Sequence, residues 1–115
     1  MKFLNYTPHT IHMPDGNVLA PEDVAIRCGE ETVAVGKIGG NPVIMRQYSD
    51  IVGLPPVQTG VWLIVSSMVR MACPDRSDLL SPGDLVRDEH GNVIGCTNLI
   101  ANVAILNSTR WLETT

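Results

Sequence analysis

Residues 53 to 99, GLPPVQTGVWLIVSSMVRMACPDRSDLLSPGDLVRDEHGNVIGCTNL, constrain the fold more than any other stretch, because strand, helix and hairpin signals follow one another with clear punctuation. Pro55 and Pro56 fix φ and push the residue before each out of the helical region, so the segment from Gly53 enters as an extended or turning lead. Val61-Trp62-Leu63-Ile64-Val65 then runs apolar on both faces, the pattern of a central strand covered on both sides. Ser66 or Ser67 caps a helix over about 66–73, with Met68, Val69, Met71 and Ala72 on one broad face and Pro74 as its stop. Beyond the polar turn Pro74 to Asp78, Leu79 and Leu80 return to the core. Asp84 to Asp88 and Val93 to Leu99 form a hairpin around Glu89-His90-Gly91-Asn92, with Gly91 at the positive-φ position.

The flanks read as extended chain. Phe3 to Met13 carries β-formers and meets the turn signal Pro14-Asp15-Gly16-Asn17 before Val18 and Leu19, which predicts a hairpin. Two short strands are expected at Val24 to Arg27 and Thr32 to Val35, with Cys28-Gly29-Glu30-Glu31 between them. A Gly-rich loop from Lys37 to Asn41 leads through Pro42 into a strand, Val43 to Tyr48. Val103 to Leu106 gives a last strand, and Trp111 docks the end of the chain. The fold class is mainly β or α+β: one small domain over 1–115, a mixed or antiparallel sheet or barrel with one short helix.

Composition narrows the function. Apolar residues make up 44% of the 115 residues and charged ones 17%, which suits a turn-rich globular domain and leaves uncharged surface that favours a homo-oligomer. The net charge is −4 and the Lys and Arg residues are scattered. Binding to a nucleic acid polymer, which draws its affinity from clustered cations, is not expected. The N-terminal segment lacks a signal-peptide hydrophobic region, and no apolar run approaches the ~20 residues of a membrane helix, so the expected location is the cytoplasm, with no membrane partner. Cys28, Cys73 and Cys96 have no CxxC spacing and read as reduced, mostly buried thiols. No close pairing of Cys and His ligands suggests a metal, and no cofactor fingerprint is present.

Three places carry candidate chemistry. In Thr7-Pro8-His9, an extended Phe3 to Met13 puts His9 on the apolar face with Ile11 and Met13, and His12 on the exposed one. His9 is then either a hydrogen-bonded core imidazole or a ligand-binding or acid/base group. At the strand-to-helix junction, Ser66 or Ser67 either caps the helix or helps hold an anion at its first N–H groups, with Arg70 solvated or reaching the same anion. In the hairpin, Arg87 shares a face with Leu85 and reads as half-buried and paired, Asp88 and Glu89 head into a solvated turn, and Gly95 marks a bulge or a close backbone approach. Cys96 reads as a small core hydrophobe.

Asn5-x-Thr7-Pro8-His9, Gly53-Leu54-Pro55, Gly60-x-x-x-Ile64-Val65-Ser66, Pro82-Gly83-Asp84-Leu85-Val86-Arg87-Asp88 and Gly95-Cys96 together resemble a family of small uncharacterised proteins of bacteriophages, prophages and actinobacteria. Its members read N-L-T-P-H near the start and V-R-D-x-x-G-x-(I/V)-G-C near the end; Tyr6 stands here where Leu is common. The family brings no established activity and so no residue roles. The resemblance implies a small accessory protein of phage or mobile-element origin, of the kind that inhibits host enzymes, sequesters signalling nucleotides or serves in virion assembly.

These readings converge on a binding module that captures a host protein or a small anionic ligand such as a nucleotide. Thr7, His9, Ser66, Arg87 and Asn98 are its candidate ligand-binding residues, and Trp62 or Tyr48 its stacking face. Two alternatives are a small hydrolase or lyase using His9 as acid or base with Arg87 stabilising charge, and a structural phage component.

Overall fold

The computed structural model describes residues 1–24 and 26–108, the backbone alone at 27, 28 and 48–50. Among these residues ten strands and one α-helix run in the order β1 (Lys2–Asn5), β2 (Ile11–His12), β3 (Val18–Leu19), β4 (Arg27–Ile38), β5 (Asn41–Val52), β6 (Val61–Ile64), α1 (Ser67–Ala72), β7 (Leu79–Pro82), β8 (Leu85–Arg87), β9 (Val93–Cys96) and β10 (Leu99–Ala101). A 3₁₀ turn, Val103–Asn107, follows. The fold is thus a small, mainly β domain with one short helix and no closed barrel among its described residues.

The organising sheet has the order β1-β6-β7-β10, with β1, β6 and β7 parallel and β10 antiparallel to β7. The double-sided apolar run of β6 explains its central place. Trp62 and Ile64 pack on one face with Ile11, Met13, Leu80 and Cys96, while Leu63 and Val65 pack on the other with Val69 and Leu79. Strand β7 divides in the same way between Leu79 and Leu80, as side chains of period two require. Each face is therefore covered: one by β2 and the β8–β9 hairpin, the other by α1 with Ile26, Ile51 and Leu54.

Helix α1 begins where its cap predicts, with Ser66 Oγ accepting from the Val69 N–H at 3.3 Å. Its buried face is narrower than the pattern suggests. Val69 is buried, whereas Met68 and Met71 stand exposed, because a helix this short meets the sheet along one line. Arg70 is not solvated: its Nε–H donates to Ser81 Oγ at 2.8 Å and its Nη1–H to Asn102 Oδ1 at 3.2 Å.

Several expectations are corrected. Phe3 belongs to a strand parallel to β6, not to the first hairpin, which is reduced to β2 and β3 around Gly16 at φ 93°. The two strands expected between Val24 and Val35 are one, β4, continuous through Gly29. The loop expected over Lys37 to Asn41 is a two-residue turn, Gly39-Gly40, with φ of 57° and 80°, the primed geometry that matches the twist of a hairpin. Val103 to Leu106 is 3₁₀ and not strand, Ile105 N–H donating to Asn102 O; among the described residues the last strand is β10. Trp111, Ala25 and the side chains of Cys28 and Tyr48 lie outside the described residues.

Strands β4 and β5 leave the body as a two-stranded arm, and they give the molecule its shape. The radius of gyration is 16.5 Å and the extents are 52 × 38 × 27 Å, against about 13 Å for a compact chain of this length.

Candidate functional site

The carboxyl ends of the three parallel strands meet at one place. The chain leaves β1 at Asn5 into the bend Thr7-Pro8-His9, leaves β6 through Val65 to Ser66, and leaves β7 at Pro82. Facing these ends is the β8–β9 hairpin, and between them lies a cleft of about 620 Å³. Thr7, Pro8, His9, Thr10 and Ile11 line one wall, Ser66 and Pro82 the floor, and Leu85, Asn92, Val93 and Gly95 the opposite wall.

The first wall is shaped by Asn5, a polar side chain only 1% exposed. Its Nδ2 donates to the carbonyls of His9 at 2.8 Å and Leu19 at 3.0 Å. Its Oδ1 accepts from the Thr7 N–H at 2.9 Å and from the Thr7 hydroxyl at 2.6 Å. An amide has two donor hydrogens and an oxygen with two lone pairs, so the side chain is saturated. Those four bonds fold the chain back at Pro8, breaking the extended run in which His9 would have joined Ile11 and Met13 in the core. Ile11 and Met13 are buried, while His9 is exposed at the cleft and His12 is exposed as expected.

The second wall is a hairpin fixed from within. Asp88 accepts from the N–H groups of His90 at 2.8 Å and Asn92 at 2.9 Å, and the Asn92 N–H holds its carboxyl below the usual carboxylate range. Arg87, expected to be half-buried, is exposed, and its Nη1–H donates to the Gly91 carbonyl at 2.9 Å, closing its own turn. Gly95 is the close approach anticipated: a Cβ there would lie 3.0 Å from the His12 carbonyl oxygen, where β2 crosses β9. Cys96 beside it is buried, which pushes its thiol upward.

Asn98 proves to be a clasp. Its Oδ1 accepts from the Asp84 N–H at 2.8 Å, its Nδ2 donates to Asp84 Oδ2 at 2.9 Å, and its carbonyl accepts from the Gly83 N–H at 2.9 Å. A Cβ at Gly83 would collide with the Asn98 side chain. Of the five candidate residues, then, Thr7, His9 and Ser66 come together at the cleft, while Arg87 and Asn98 hold the β8–β9 hairpin and its base and are not among the lining residues. Trp62 is core and offers no stacking face. Pro82, Leu85, Asn92 and Val93 line the cleft too, the last three from the hairpin that was a candidate for its Arg87 and turn carboxylates and not for these positions. Their signal was the strand-end position of Pro82 and the fold-back of the hairpin over it, which no local pattern carries.

Among the described residues the lining holds no Lys or Arg, and no cluster of His, Cys, Asp and Glu is able to hold a metal. No described helix is long and apolar enough to cross a membrane. Compared with protein-family models, curated proteins and solved structures, the chain has no match.

Proposed function

We propose that this is a phage-type small accessory protein working as a binding module, which holds a small ligand in the cleft between the Thr7–Ile11 bend and the β8–β9 hairpin. The observation that carries this reading is the cleft's position at the carboxyl ends of three parallel strands. There, sheet geometry leaves a crevice that loops can line, and ligands of open sheets with parallel strands gather in it. Its volume falls within the range of small-molecule sites, and its apolar walls with a few converging polar groups have the usual composition of one.

The lining also selects among ligands. Pro8, Ile11, Pro82, Leu85 and Val93 suit an apolar or flat body, and Thr7, His9, Ser66 and Asn92 supply a hydrogen-bonding edge. A small anion such as a nucleotide would find its charge met by His9 and hydroxyls, since the Arg70, Arg76 and Arg87 guanidinium groups are engaged with Ser81, Asp78 and Gly91. The reading therefore favours a ligand whose apolar body dominates and whose charge is small. Catalysis by His9 with Arg87 has less support, because Arg87 does not line the cleft. Self-association in the host cytoplasm completes the proposal, favoured by the exposed apolar residues of the arm.

Native mass spectrometry of the protein purified directly from host cytosol is the test. A retained small molecule that the His9→Ala and Leu85→Glu variants fail to carry is the expected result. No added mass, together with no thermal shift from a panel of nucleotides and nucleosides, overturns the small-ligand reading.

A further inference from the structure

We infer that residues 87–93, the tip of the β8–β9 hairpin, are a lid that pivots on the bulge at Ile94 and closes over the cleft. The inference rests on the cleft reading above and adds a moving part to that site.

The hairpin is built in three parts. Its base is tied to the body. Gly83 N–H donates to the Asn98 carbonyl and Thr97 N–H to the Asp84 carbonyl at 2.9 Å each, the Asn98 side chain clasps Asp84, and Cys96, which pairs with Leu85, is 5% exposed. In the middle the register slips: Val86 stands opposite Gly95 and Arg87 opposite Val93, which leaves Ile94 as an extra residue on β9. A bulge of this kind interrupts the ladder and bends its strand. The tip beyond it is closed on itself. Asp88 accepts from the His90 and Asn92 N–H groups, its own N–H donates to the Asn92 carbonyl at 2.9 Å, and Arg87 donates to the Gly91 carbonyl. Among the described residues, no side-chain hydrogen bond of 87–93 leaves this unit. A unit bonded within itself and joined to the body through a local break has its hinge at that break.

Open space lies on both sides of it. In front is the cleft of about 620 Å³, and behind, lined by Val86 and Ile94 with His12, Met13 and Pro14, is a recess of about 390 Å³. Leu85 and Val93 face the cleft at 46% and 51% exposure, and Val86 and Ile94 face the recess at 38% and 45%. A wall packed to interior density would leave neither the room nor the half-exposed apolar side chains. At about 3.3 Å per residue the tip reaches about 10 Å past the bulge, so a pivot of about 30° carries its turn about 5 Å toward the Thr7–Ile11 wall. Asn92 and Val93 ride on the tip, whereas Leu85 stays with the base. Closing therefore moves one part of the wall and leaves the other in place, and it takes Val93 out of water.

Disulfide trapping in the full chain tests this with Pro8→Cys/Val93→Cys and Pro8→Cys/Leu85→Cys, the bridges being identified by mass spectrometry of unreduced peptides. A bridge needs Cβ atoms roughly 3.5–4.5 Å apart, which walls with this cleft between them reach only by closing. The expected result is a bridge in the first variant and none in the second. No bridge in the first variant overturns the lid, and bridges in both overturn the pivot at Ile94. Where a variant loses the circular dichroism of the parent, nitrogen relaxation dispersion of the unaltered chain decides instead. One shared microsecond-to-millisecond rate over 87–93, with β6 and β7 flat, is expected there, and flat profiles over 87–93 overturn the lid. Both measurements are made without ligand, so the small-molecule reading stands or falls separately, on the retained mass.

Discussion

Replacing Asn5 with Ala removes four hydrogen bonds at once. A typical internal hydrogen bond contributes about 0.5–1.5 kcal/mol net. Water can reach the partners on exposed His9 and half-buried Thr7, so the lower half of the sum applies, about 2–4 kcal/mol. For a chain of this size that is a fall in melting temperature of roughly 8–20 °C. Asn5→Asp separates the hydrogen-bond account from simple loss of volume. It keeps both acceptor bonds to Thr7 but turns an oxygen toward two carbonyl oxygens, now 2.8 and 3.0 Å from Nδ2. At neutral pH this variant is expected to cost at least as much as Ala. Below the carboxyl's titration, the protonated side chain donates to one carbonyl and part of the loss returns. Urea denaturation of both variants at pH 7 and pH 4 measures this, with amide and imidazole resonances of His9 reporting the bend. An Ala variant within about 0.5 kcal/mol of the parent, or an Asp variant whose deficit is the same at both pH values, refutes the reasoning.

Arg76 and Asp78 form a two-point ion pair, Nε to Oδ1 and Nη2 to Oδ2 at 2.8 Å each, with Asp78 1% exposed and Asp78's hydrogen bonds holding the Arg76 pKa above its ordinary value. Arg76→Ala strands a buried carboxylate and is expected to cost about 3–5 kcal/mol in chemical denaturation, while Arg76→Met/Asp78→Leu recovers most of it. Gly83→Ala drives a Cβ into the Asn98 side chain and should lower the melting temperature; pairing it with Asn98→Ala relieves the collision and recovers part of the loss, as a thermal-denaturation cycle would measure. Because the Asp88 pKa is depressed, its contribution is complete above the unfolded value of about 3.9 and lost as pH falls through the folded one, so hairpin amide shifts of His90 and Asn92 should move below about pH 4.

What the sequence disclosed were the features written locally. The apolar run of β6, the Ser66 cap and the Gly91 turn each depend on residues within a few positions, and all three stand as read. The register of β1 against β6 depends on residues half a chain apart and has no periodic mark, so Phe3 was assigned to the nearer hairpin. Val103-Ala104-Ile105-Leu106 is too short for periodicity to separate strand from helix, and the Asn102 carbonyl decides it by accepting from Ile105. Polar residues misled most. Asn5 and Asp78 are among the most buried side chains, each satisfied mainly by near neighbours, Thr7 and His9 for Asn5 and Arg76 for Asp78, in bends that no periodic pattern announces. Thr7, His9 and Ser66, candidates by residue type, line one cleft, whereas Arg87 and Asn98 are engaged in the hairpin turn and at its base.

The parallel pairing of Lys2–Asn5 with Val61–Ile64 also sets a timetable. The three two-stranded ribbons, β2–β3, β4–β5 and β8–β9, can each close in about 1–10 μs, since their partners are neighbours in sequence. Phe3 and Leu4, by contrast, meet their strand partners only once Trp62 and Leu63 have been synthesised, a delay of roughly 3–12 s at ordinary translation rates. Through that interval the ribbons β2–β3 and β4–β5 are completed in turn while β1 still lacks its partner, so the parallel pairing that organises the sheet comes after the local hairpins.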